Sequence, residues 1–208
     1  MEADLVAVLQ REGIRDARVL EAFRAVPRAL FVPPEHEEEA DVDRPLPIPH
    51  EQVTTQPSLV ARMLEGLALA GAERVLEIGT GYGFQTALLA RLGGFVWSVE
   101  RWPDLAETAQ DNLARAGVGN AEVVVGDGSL GLPRRAPFEA ILVSAAFPRV
   151  PAPLARQLAP GGRLVQPIGA GGAETVTLFV RGPQGLERVR SLTGAHFVRL
   201  RGRHGFPS

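Results

Sequence analysis

Apolar residues fall at helical spacing twice near the start of the chain, at Leu5, Val8 and Leu9 and again at Val19, Leu20, Phe23 and Val26. Gly13 separates the two runs and Pro27 ends the second, which predicts two short helices. From Phe31 to Pro49 the periodicity stops. Five prolines and a run of acids replace it, predicting an extended segment laid over the rest, because proline fixes φ and cannot extend a ladder. Glu35, Glu37, Glu38 and Glu39 read as a solvated face. Thr55 followed by Pro57 marks the next helix start, with a hydroxyl near the N-cap and proline in the first turn. Running to about Leu69, that helix would bury Leu59, Val60, Met63, Leu64 and Leu67.

Beyond it, strand and helix patterns alternate. Arg74–Ile78, Phe95–Val99, Ala121–Val125, Glu139–Val143 and Arg163–Pro167 read as strands, with helices at Gln85–Leu92, Leu105–Ala116 and Ala152–Leu158. Such alternation predicts a parallel sheet with helices on both faces. Two further strands, Glu174–Arg181 and Leu186–Leu200, flank Gly182-Pro183-Gln184-Gly185, a hairpin signal that closes the sheet with antiparallel pairing. The expected fold is α/β: a Rossmann-like, doubly wound, mostly parallel seven-stranded sheet with an antiparallel C-terminal strand and an N-terminal helical, Pro-rich extension. With no repeat or low-complexity linker, residues 1–208 read as one domain.

Composition narrows the function. A hydrophobic fraction of 45% supports a sizeable core, and a net charge of -2 gives no general pull toward nucleic acid. Arg199, Arg201 and Arg203 would share one face of a strand and read as a solvated edge. The absence of cysteine excludes disulfides and thiolate metal sites, and His36, His50, His196 and His204 lack ligand spacing, so no metal is expected. Acids near the N-terminus do not suit a signal peptide, and no apolar run is long enough for a membrane span. A cytoplasmic protein without membrane or nucleic-acid partners follows.

The sharpest motif is Val75-Leu76-Glu77-Ile78-Gly79-Thr80-Gly81-Tyr82-Gly83, between a strand and a helix. Glycines let the backbone turn tightly and approach a ligand, and helix amides then face it. Glu77 can accept from an ammonium but would repel a pyrophosphate, and the spacing departs from G-x-G-x-x-G. Both features favour S-adenosylmethionine, which carries an ammonium and no phosphate, over NAD. Glu100, at the end of the second strand, can accept both ribose hydroxyls, and Asp127, within Gly126-Asp127-Gly128, can accept the adenine amino group. Acids after three successive strands make one ligand-length crescent.

VLEIGTGYGFQTALLA, SVER, GDG and PFEAILVSAA, with VPRALFVP and PLPI upstream and QLAPGGRLVQPIG downstream, resemble the protein-L-isoaspartate O-methyltransferase family from about Val19 to Leu200. The resemblance implies methyl transfer from S-adenosylmethionine to the free α-carboxylate of L-isoaspartyl residues in damaged proteins and peptides. S-Adenosylhomocysteine is the product, and the ester collapses to a succinimide. It implies a monomer in which residues 1–56 cover the substrate and residues 57–208 bind the donor. The donor residues would be Thr54, Glu77, Gly79, Thr80, Gly81, Tyr82, Gly83, Glu100, Arg101, Asp127 and Gly128. Thr55 stands where the family has its serine beside the substrate carboxylate and would act as the catalytic hydroxyl. Gln56, Ser144, Ala145 and Ala146 would line the acceptor cleft with it. Pro49 and Glu51 stand where the family has glycines, and Val53 where it has threonine. A methyltransferase of the same fold acting on another acceptor, or a non-catalytic donor- or peptide-binding relative, is the competing reading.

Overall fold

A computed structural model describes residues 4–207. Two helices open it, α1 (Leu5–Arg11) and α2 (Ala17–Ala25), each capped by an aspartate, Asp4 or Asp16, that accepts two amides of the first turn. Their apolar faces join one cluster with α3 (Pro57–Leu67), α4 (Phe84–Leu92) and the strands beneath. The main sheet comprises β3 (Arg74–Ile78), β4 (Phe95–Glu100), β5 (Ala121–Val125), β6 (Phe138–Val143), β7 (Leu158–Ile168), β8 (Glu174–Gly182) and β9 (Gly185–Ala195), in the order β5-β4-β3-β6-β7-β8-β9. Pairing is parallel from β5 through β7 and antiparallel from β7 to β8 and β8 to β9. Helices α5 (Pro103–Arg115) and α6 (Ala152–Gln157) complete the crossovers. The chain runs outward from β3 to β5 and returns to β6 on the other side of β3. The crevice at the carboxyl ends of β3 and β6 is therefore the topological switch point, where open α/β sheets place their ligands.

The Pro-rich segment is not simply extended. It contains a two-stranded hairpin, β1 (Leu46–Ile48) with β2 (Gln52–Thr54), in which Pro47 lies opposite Val53. In a two-stranded ribbon both strands are edges, so a residue without an N–H can sit there. The turn places His50 at φ 62 and Glu51 at φ 57, with the Gln52 amide donating to the Pro49 carbonyl, which is the geometry of a type I′ turn. Glu51 thus holds a left-handed conformation that costs a side-chain-bearing residue roughly 1–2 kcal/mol. His50 offsets part of this. Its ring stacks on Trp102, centroids 3.9 Å apart, and its Nε2 lies 2.8 Å from Asp104 Oδ2.

Arg28 binds this extension to the core. It is 2% exposed, and its guanidinium donates to the carbonyls of Ala40, Val42 and Arg44 and to Thr54 Oγ1, at 2.9–3.0 Å. Burial lowers its pKa to about 10, against the attraction of Asp43 and Asp41, so it remains charged at neutral pH.

The last strand stops at Ala195, short of Leu200, and the Arg-rich C-terminus folds back across the carboxyl edge of the sheet instead of continuing as an edge strand. Val198 and Leu200 pair with Ala146, the Arg203 amide donates to Asp127, and Phe206 packs edge-on against Phe147. The three arginines consequently share no strand face.

Replacing Arg28 with methionine leaves three carbonyls without their donor. At roughly 1–3 kcal/mol for each buried unsatisfied group, Arg28→Met should lower unfolding stability by at least about 3 kcal/mol in denaturant titration. Hydrogen exchange should quicken first in residues 40–54.

Candidate functional site

Gly79, Gly81 and Gly83 leave β3 with φ of 95, 55 and 93, a succession only glycine takes without strain. Gly83 then N-caps α4. Glu77 lies beneath this loop with no exposure. Its Oε1 accepts from Gln85 Nε2 at 2.8 Å, and its Oε2 accepts from Thr86 Oγ1 at 2.5 Å and Ser98 Oγ at 2.6 Å. Thr80 Oγ1 joins the network through Ser98, 2.5 Å away. Burial pushes the Glu77 carboxyl up to about 7 despite these hydrogen bonds, with repulsion from Glu100 adding to the rise.

A cleft of about 920 Å³ opens above the glycines. Of the residues assigned to the donor, Thr54, Gly79, Thr80, Gly81, Tyr82, Glu100, Arg101 and Gly128 line it. Thr54 and Thr80 have hydroxyls engaged elsewhere, with Arg28 and Ser98. Glu100 is 5% exposed. It accepts from the Gly81 amide on Oε2 (2.9 Å), and from the amides of Arg101 (2.8 Å) and Trp102 (3.1 Å) on Oε1. That leaves acceptor capacity for hydroxyl groups.

Three of the residues assigned to the donor lie outside this lining. Glu77 is fully buried, with both carboxylate oxygens accepting from Gln85, Thr86 and Ser98. Gly83 serves the turn into α4 and is not part of the lining. Asp127 is outside the lining as well, since its Oδ1 accepts from the Ser129 amide and hydroxyl and its Oδ2 from the Arg203 amide. Burial pushes Asp127 up, but these donors outweigh it and hold the carboxyl below the usual range. Its structural partner is the C-terminal segment.

A second groove, of about 1090 Å³, lies beside the first and shares with it Val53, Thr55, Ser144 and Val198. Gln56 lines only this groove, and its amide donates to Asp43 Oδ2 and Ser58 Oγ. Ala145 lines the first cleft. Ala146 is fully buried and lines neither, because its backbone pairs with Val198 and Leu200. Thr55 is not the N-cap of α3. Gln56 takes that position, and Asp43 reaches in from the extension to accept from the Ser58 amide at 2.8 Å. Among the described residues the Thr55 hydroxyl has no hydrogen-bond partner, so it is free at the junction of the two spaces. No group of metal-ligating side chains is present among the described residues.

Sequence reasoning missed several lining residues. Ile48 and Phe31 roof the first cleft from the extension, and Val198–Arg201 close it from the C-terminus. Gln85 also lines it, and its Oε1 has no partner although the side chain is 7% exposed. A polar residue within the apolar run Phe84–Leu92, directly after the glycines, was the available signal.

The family model described as protein-L-isoaspartate(D-aspartate) O-methyltransferase matches residues 1–205. A protein-L-isoaspartate O-methyltransferase of Anaeromyxobacter dehalogenans is 51% identical over 202 residues, covering 96% of this chain and 97% of its own. That of Aeropyrum pernix is 50% identical over 207 residues, covering 97% and 80%. A solved protein-L-isoaspartate O-methyltransferase superposes with a TM-score of 0.85 at 30% identity, over 99% of this chain and 67% of the other. A Plasmodium falciparum chain solved with S-adenosyl-L-homocysteine shares the fold, with a TM-score of 0.82 at 21% identity over 96% of this chain and 98% of the other.

Glu77 makes stability fall as pH rises. Below its ordinary value of 4.5 it is protonated in both states; as pH rises through about 7 the folded chain must ionise a buried carboxyl, and the advantage is lost. Glu77→Gln cannot ionise. Denaturant titrations should therefore show its stability relative to the native chain improving by roughly 3 kcal/mol between about pH 4.5 and 8. A difference independent of pH would contradict this account of the network.

Proposed function

The chain belongs to the protein-L-isoaspartate(D-aspartate) O-methyltransferase family, and on that premise we propose that it methylates the free α-carboxylate of L-isoaspartyl residues in damaged proteins and peptides, using S-adenosylmethionine. The observation that carries the reading is the shared wall. A cleft with glycine amides, a ribose-compatible carboxylate and an unpartnered buried acceptor abuts a separate groove, and the two meet at Thr55 and Ser144.

The residues present fit the donor. Gly79–Tyr82 present backbone at close range, Glu100 retains acceptor capacity for hydroxyls, and Gly128 borders the cleft after β5, where a Cβ would collide with Ile78. S-Adenosylmethionine, when bound, supplies a methyl carbon made electrophilic by a sulfonium. Ile48, Phe31, Phe84 and Leu200 give the cleft apolar walls that exclude water.

A carboxylate is already ionised at neutral pH, so the acceptor requires no general base. What the protein supplies is orientation. Thr55 Oγ–H is free to donate to one carboxylate oxygen. Ser144 Oγ accepts from Gln85 Nε2 at 2.8 Å, which leaves its own proton free to be donated into the same junction. Together the two hydroxyls would hold the carboxylate at the junction with an oxygen toward the donor cleft. The methyl ester can then react away from the protein: the neighbouring backbone amide nitrogen attacks it, methanol leaves, and a succinimide forms. The groove's remaining wall, Thr193–Phe197 with Leu59 and Arg62, accommodates an extended peptide.

The test is methyl transfer from labelled donor to an isoaspartyl peptide and to its aspartyl twin. Label should enter the isoaspartyl peptide alone; absence of transfer, or equal transfer to both, would overturn the proposal. Thr55→Ser should stay within a few-fold of the native chain. Thr55→Val should lose roughly 10- to 100-fold in kcat/KM, the weight of a hydrogen bond to a charged group.

A further inference from the structure

Gln85, the second residue of α4, carries a buried acceptor with nothing to accept. Its Nε2 donates to Glu77 Oε1 and to Ser144 Oγ, both at 2.8 Å. These two acceptors orient the amide, because a carboxylate already receiving Thr86 and Ser98 offers nothing to a carbonyl oxygen. Oε1 is thereby turned away from Glu77, and although the atom itself is buried, its side chain borders the donor cleft. Such an atom is satisfied only by a donor that arrives with a ligand or with water.

We propose that Gln85 Oε1 accepts the hydrogen bond from the α-ammonium of the methyl donor, the contact that spacing alone assigns to Glu77; the assignment rests on the methyltransferase reading of the cleft. S-Adenosylmethionine has three kinds of donor group: the ammonium, the ribose hydroxyls and the adenine amino group. Glu100 ends β4, and Gly128 follows β5, so the adenosine end belongs to the β4–β5 side of the switch point. Gln85 reaches the opposite, β6 side, where its amide touches Ser144. The wall shared with the acceptor groove lies on that side too, so the amino-acid end must be there, and the ammonium is the only donor it carries. An ammonium has three N–H groups and no acceptor, which matches an orphaned carbonyl oxygen. Glu77 stands directly behind the amide. Its ionised form would favour the cation through one intervening neutral group.

The arrangement also ties the donor to the acceptor wall. The same amide that meets the ammonium fixes Ser144 Oγ, so Gln85 is a donor-binding residue with a positioning role on the acceptor side.

Calorimetric binding of S-adenosylhomocysteine, and of its analogue with hydrogen in place of the α-amino group, separates this role from a structural one. The native chain should bind the analogue roughly 10- to 100-fold more weakly than S-adenosylhomocysteine. Gln85→Leu should lose a similar factor for S-adenosylhomocysteine yet bind the analogue as the native chain does. Equal weakening of both ligands by the substitution, or weakening of neither, overturns the proposal. Failure of the native chain to bind S-adenosylhomocysteine overturns the donor reading itself, a separate outcome. If Gln85→Leu does not fold, Gln85→Met, which keeps the length of the side chain, is read in the same way.

Discussion

Three side chains from two elements donate to Glu77: Gln85 and Thr86 from α4 and Ser98 from β4. A carboxylate without exposure is costly unless every oxygen is hydrogen-bonded, and here both are. The glycine loop passes directly over this group, so its path is set by where the network allows α4 to start relative to β3. Through Gln85 the same network reaches Ser144 at the end of β6. Four pieces of chain that meet at the switch point are therefore registered against one charge. Burial raises its pKa despite these three donors, so the compensation is incomplete.

The N-terminal extension is organised by a second buried charge. Arg28 gathers the carbonyls of residues 40, 42 and 44 together with the Thr54 hydroxyl, and so fixes the extension above the sheet. That placement brings Asp43 to the start of α3, where it takes over the capping that Thr55 could otherwise have supplied. A hydroxyl released from a structural task is available for a functional one. The hairpin tip is held in a conformation that glycine would adopt without strain, and it stays there because His50 stacks on Trp102 beside the donor cleft.

The C-terminal segment completes both spaces. Val198 belongs to the wall of each, Leu200 and Arg201 border the donor cleft, and Asp127 anchors the segment through the Arg203 amide. The acid at the end of the third strand also serves as the attachment point of this segment.

Local physics made most of the architecture legible. The seven strands of the main sheet, the helices between them and the glycine loop follow from periodicities of two and 3.6 and from backbone angles that only glycine accepts readily, all of which act over a few residues. The family resemblance was equally legible, since VPRALFVP and VLEIGTGYG are contiguous. The β1–β2 hairpin was not, because Pro47 argues against a strand unless both edges of the ribbon are free. What the sequence could not decide is which polar atom meets which. Glu77 and Gln85 are eight residues apart, but Gln85 and Ser144 are separated by 59 and Asp127 and Arg203 by 76. Acids and amides at such distances compete for the same partners, and only the packed arrangement assigns them. It buried Glu77 within its network, brought the Arg203 amide to Asp127, and left Gln85 Oε1 and the Thr55 hydroxyl without partners among the described residues.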